Sequence, residues 1–156
     1  MSDFFSYTGG AAEPERGGAP RTILGELSSE DWERFIGYTA RRRYPAGAVI
    51  VSAGEAQRAL CFIASGQVQI AAAGAPRKAA PLLRGEGEVF GILSFLDGAP
   101  SGITATVGAA SPAELLMLTP EALQQLAAWQ PRIAMALLRD LGAHVAARLR
   151  RLQPGD

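Results

Sequence analysis

Apolar and polar residues follow two rhythms along this chain, and the switch between them separates helical from extended segments. Ser28 is placed to cap a helix, with Asp31 three residues on as a variant capping box. Trp32, Phe35 and Ile36 then fall at i, i+3 and i+4, the apolar face of a short helix ending before Pro45. From residue 43 to 118 the rhythm shortens to β segments punctuated by glycine and proline. Val49-Ile50-Val51 precedes Gly54-Glu55, Leu60 to Ile63 precedes Ser65-Gly66, and Gln67 to Ile70 alternates cleanly. Ala80 to Leu83, a Gly-bearing run from Val89 to Val107, and Glu114 to Leu118 complete the series. Strands this short, with turn residues between them, predict a compact antiparallel roll.

After Leu118 the helical rhythm returns. Thr119-Pro120-Glu121 reads as an N-cap with proline at the first helical position, opening a helix through Leu123 and Leu126. Pro131 opens a second, longer helix to about Leu152. Its large apolar residues Ile133, Leu137, Leu138, Leu141, Val145, Leu149 and Leu152 exceed one stripe's needs. Leu138, Val145 and Leu152 recur at heptad spacing with Leu141 between them, so Leu138, Leu141, Val145, Leu149 and Leu152 form a candidate self-association seam. An amphipathic helix that only closes its own core is the other reading, and the pattern leaves both open. The fold class is therefore α+β: residues 1–20 form a tail, 21–42 a helical part, 43–118 the roll, 119–152 the closing helices, and 153–156 a second tail. Phe4, Phe5 and Tyr7 are the only aromatics in the first tail, which is otherwise rich in glycine, alanine and proline.

The run from Val89 to Val107, VFGILSFLDGAPSGITATV, has the form of a phosphate-binding cassette. A strand exits at Phe90-Gly91 into a short apolar turn, Asp97-Gly98 and Pro100 follow, and Ile103 to Val107 is extended. This run resembles the cassette of the cyclic nucleotide-binding domain family, roughly F-G-E-L-A-L-L-x-G-x-P-R-x-A-T-V, without a gap. YPAGAVIVSAGE and LCFIASGQVQI resemble the same family's opening strand and second hairpin, so the resemblance extends over about residues 27–150. It implies a β-roll flanked by an N-terminal helix and C-terminal helices, and a regulatory rather than catalytic role. Two matched positions differ in kind. The family's glutamate, which accepts the ribose hydroxyl, falls on Ile92, and its arginine, which pairs with the cyclic phosphate, falls on Ser101.

Losing two charge-assisted contacts forfeits about 3–6 kcal/mol, a loss that abolishes a micromolar site. The backbone near Gly91, Ile92 and Leu93 and near Gly102 and Ile103 remains, with the hydroxyls of Ser94, Ser101 and Thr104, as a degenerate candidate site. No cofactor is expected beyond a cyclic nucleotide-type ligand. The alternative is a small-molecule sensor that binds a cyclic nucleotide or cyclic dinucleotide in a non-standard way, with Arg41 to Arg43 or Arg139 replacing the missing charge.

Composition narrows the remaining classes. The chain has 156 residues, one domain's worth, with 48% hydrophobic and 19% charged residues and equal numbers of acids and bases, 15 each. Zero formal net charge gives no general pull toward nucleic acid, and the clusters Arg41-Arg42-Arg43 and Arg148, Arg150, Arg151 lack the interleaved aromatics of a single-strand binder. One histidine, His144, and one cysteine, Cys61, cannot supply a metalloenzyme's ligand set or a redox pair. Cys61 and Met117 read as core residues rather than haem ligands. No segment reads as a membrane span or a secretory leader, which leads us to expect a cytoplasmic protein. Relatives that regulate transcription carry a helix-turn-helix domain after the last helix, but four residues follow Leu152, so no DNA-binding domain is expected here. The expected partners are a second copy of the chain or another protein, and no enzymatic activity is expected.

Overall fold

The computed structural model describes residues 23–76 and 78–153, so the aromatics of the first tail lie outside the described residues. A short helix, α1 (Ser29–Ile36), leads into β1 (Ala40–Tyr44), β2 (Val49–Val51), β3 (Leu60–Ser65), β4 (Val68–Ala72), β5 (Leu82–Arg84) and β6 (Val89–Phe90). Then come α2 (Ile92–Asp97), β7 (Ile103–Val107), β8 (Ala113–Leu118), α3 (Pro120–Trp129) and α4 (Pro131–Arg151). The strands form two antiparallel four-stranded sheets, ordered β1-β8-β3-β6 and β2-β7-β4-β5. All consecutive strands except the β4–β5 pair cross between the sheets, and the expected α+β architecture stands.

Burial explains why some strands alternate and others do not. One face of β4 lies between the sheets, so Val68 and Ile70 are buried while Gln69 is exposed. In the first sheet, β3 and β8 are covered on both faces. Cys61 and Ile63 of β3 join the cluster between the sheets, whereas Leu60 and Phe62 join a second cluster beneath the helices. β8 divides in the same way, Leu115 and Met117 inward and Leu116 and Leu118 toward the helices. A sheet buried on both faces reads as a continuous apolar run. Burial also pushes the Cys61 thiol up to about 12, so it is a core residue and not a nucleophile.

The helices close the second cluster. Ser28 Oγ accepts the Asp31 N–H at 3.1 Å, the expected cap. Trp32 and Phe35 stack at 5.2 Å, and Phe35 meets Phe62 edge-on at 5.2 Å, a geometry that adds about 0.5–1.5 kcal/mol per pair beyond area burial. Thr119 Oγ1 accepts the Ala122 N–H at 3.0 Å with Pro120 at the first helical position, again as the sequence predicts. A buried carboxylate joins the two ends of the helical layer. Asp31 accepts from Arg132 of α4 at 2.7 and 2.9 Å and from Arg34 at 2.8 Å. Asp140 accepts the Leu24 N–H at 2.8 Å and fixes the segment before α1 to α4.

Two boundaries differ from expectation. The roll begins at Ala40 rather than residue 43, so Arg41 to Arg43 lie within β1 and not ahead of the first strand. β1 is an edge strand whose register on β8 sets its conformation, and its exposed faces leave no apolar alternation to read. Arg41 pairs with Glu114 at 3.0 Å and Arg42 lies over the Tyr44 ring at 5.7 Å. Charge on an edge also blocks pairing with another chain. The second difference is the apolar turn after Gly91, which is the helix α2.

Candidate functional site

Gly91 and Gly98 bracket α2, both in the left-handed region at φ 84° and 76°. At Gly91 a Cβ would stand 2.9 Å from the Ala59 carbonyl oxygen, so both conformation and space require glycine. This turn sets the direction of α2 and places its residues in two environments. Ile92 is 5% exposed and joins the cluster under the helices with Phe62, Leu118 and Leu137. An isoleucine placed here gains more by burial than by facing a polar pocket. Leu93 is exposed, and Ser94 is buried with its carbonyl accepting the Gly98 N–H at 2.9 Å.

The loop from Pro100 to Thr104 is closed on itself. Ser101 is buried; its hydroxyl donates to the Ile103 carbonyl at 2.7 Å and accepts the Ile103 N–H at 3.2 Å. The β2–β3 loop holds the same residue from outside, since Ser101 N–H donates to Glu55 O at 2.8 Å and Gly54 N–H donates to Ser101 O at 2.7 Å. Thr104 Oγ1 accepts the Ala53 N–H at 3.0 Å, and the Gly102 carbonyl accepts the Ala73 N–H at 2.8 Å. Ile103 is half-buried against the cluster between the sheets. The structure thus brings Ser101, Gly102, Ile103 and Thr104 together and turns Ile92 away from them. Neither Ile92 nor Ser101 carries a charge.

Sequence reasoning missed the contribution of the β2–β3 loop, whose backbone bonds carry no residue-type signature. It also missed Arg58. That guanidinium lies beside Gly98, its Nη2 only 3.2 Å from where a Cβ would stand, at the C-terminal end of α2 where carbonyls favour a cation. Arg139 is exposed on α4. Among the described residues no cluster of His, Cys, Asp and Glu is suited to hold a metal ion, and no helix is long and apolar enough to cross a membrane.

On α4 the proposed seam separates into two faces. Leu141 is fully buried with Ile133, Ala134 and Leu137, so it belongs to the core and not to a surface open to another chain. Its neighbours along the core stripe explain this, because Leu137 lies one turn before it on the same face. Leu138, Leu149 and Leu152 are exposed, Val145 is partly buried against the core, and Met135, which the sequence reading left out, is 61% exposed.

The strands form a β-roll with a glycine-bracketed helix and loop, covered by helices on one sheet. The model of the cyclic nucleotide-binding domain matches residues 41–128. The chain belongs to that family. It is 34% identical over 126 residues to the cyclic AMP receptor protein of Thermus thermophilus, covering 80% of this chain and 55% of that protein. It is also 28% identical over 129 residues to glutaminase 2 of Bradyrhizobium diazoefficiens, covering 83% of this chain but 20% of that one. The crystal structure of the Thermus thermophilus catabolite activator protein superposes with a TM-score of 0.73 at 30% identity, covering 85% of this chain and 60% of that one. The chain therefore spans about half or less of the length of these curated relatives.

Proposed function

We propose that the chain is a non-enzymatic regulatory module whose cassette no longer takes a cyclic mononucleotide and which acts by self-association through the outer face of α4. The observation that carries the first half is the closed Ser101 loop: where a phosphate would need a cation, a serine satisfies its own loop backbone. The buried Ile92 supports the same conclusion, because a ribose hydroxyl finds no acceptor there. Ser101→Arg tests it. The substitution should confer binding of cyclic AMP that calorimetry detects as at least a ten-fold gain over the unmodified chain, and no gain would mean that a missing cation is not the reason.

The second half rests on spacing. Met135, Leu138, Gly142, Val145, Leu149 and Leu152 follow steps of three and four along α4, a heptad seam one residue offset from the core stripe. Gly142 has nothing within 4 Å of where a Cβ would be, so a second helix has room to approach. A second copy of the chain presents the same seam, and twofold pairs are the commonest closed assembly.

A further inference from the structure

Four strands end the two sheets, and three of them make poor edges. β6 has two residues and runs through Gly91 into α2, β2 has three with a register shift against β7, and β5 has three. β1 differs. Its five residues lie in unbroken register on β8, from Ala40 opposite Met117 to Tyr44 opposite Ala113. Among the described residues, the backbone of Arg41, Arg42 and Arg43 makes no hydrogen bond beyond that pairing. A regular edge of this length presents a row of N–H and C=O groups to which a further strand can pair.

The side chains give this edge a sign. Arg41 and Arg43 stand opposite Leu116 and Glu114 and so share one face, while Arg42 lies on the other face over the Tyr44 ring at 5.7 Å. All three arginines are exposed. Glu114, the one acid on β1 and β8, is opposite Arg43 in register and bonds to Arg41 at 3.0 Å, so a single carboxylate serves two guanidiniums. The ion-paired arginines among the described residues are Arg34, Arg41 and Arg132, which leaves Arg43 uncommitted.

We propose that β1 takes up an extended acidic segment of a partner protein as a fifth strand of the first sheet. Main-chain pairing along the open edge holds the segment, and carboxylates at alternate positions stand beside Arg41 and Arg43. The charge that keeps two β1 edges apart attracts a strand of opposite sign. A partner that offered phosphates alone would answer the guanidiniums and leave the backbone row unpaired, which is why a peptide fits this surface better than a nucleic acid. The interaction uses neither the cassette nor the outer face of α4.

Fluorescence anisotropy on the full chain, with a labelled peptide of about ten residues alternating Glu and Thr, tests this edge. Saturable binding is expected, weakened at least three-fold by Arg43→Gln, further by Arg43→Glu, and unchanged by Arg139→Gln on α4. Arg43 has no ion pair to lose, so Arg43→Gln should melt at the temperature of the unmodified chain. Peptide binding should also slow hydrogen exchange of amides within β1, which pairing of main chains requires and attraction between side chains does not. No saturable binding at millimolar peptide overturns the proposal, and so does equal binding of a peptide alternating Lys and Thr. Binding that leaves exchange in β1 unchanged overturns it as well. The same holds if single-stranded oligothymidylate binds at least as tightly with the same dependence on Arg43, because charge alone then accounts for the surface.

Discussion

At position 91 this chain has no alternative to glycine. A side chain there would combine a left-handed backbone with a contact inside van der Waals distance of Ala59. Gly91→Ala should therefore destabilise the domain by about 1–3 kcal/mol, seen as a lower midpoint in urea denaturation, and an unchanged midpoint would show that the turn can be rebuilt. Residue identities were legible where chemistry alone decides. Ile92 and Ser101 stand where the resembling family has a glutamate and an arginine, a difference visible in the sequence alone. What could not be read was the direction in which Ile92 points, because a loop's side chains follow from the turn that carries them. The hydroxyls were likewise legible as residues but not as bonds: Thr104 Oγ1 accepts from Ala53, far along the chain, and Ser101 Oγ bonds within its own loop to Ile103.

Among the elements, α1 and α3 were legible to the capping residue because N-caps are local. β1 was not, since its conformation comes from β8 and its sequence shows only charge. α4 was half legible. Its surplus of apolar residues is real, but Leu141 and Leu149 lie on different faces, and periodicity alone cannot say which line the roll covers. The two lines predict opposite outcomes. Leu141→Ala should cost about 2–5 kcal/mol as a core deletion. Leu149→Glu should leave the melting temperature of the monomer nearly unchanged and abolish self-association in light scattering. The α1–α4 junction carries its own pH signature. Asp31 is held below its ordinary value of 3.8, chiefly by its hydrogen bonds to Arg132, so its contribution to stability is complete above that value and declines as pH falls below it. Melting temperatures between pH 3 and 6 should show this decline, and Asp31→Asn should flatten it.

For the molecule as a whole, sheet pairing and family agree with the order of motifs along the chain. The division of labour within it is what the structure adds. The first sheet carries the helices on its outer face, with β3 and β8 buried on both sides, and the second sheet ends in the open edge strand β5. Above the single chain, light scattering should find a dimer. A monomer at high micromolar concentration would remove the role proposed for the outer face of α4 while leaving the cassette untouched. The central claim concerns that cassette, and direct titration of the unmodified chain with cyclic AMP tests it most plainly. We predict no binding with a Kd below about 10 μM, near −7 kcal/mol. A saturable isotherm with a tighter Kd would contradict it.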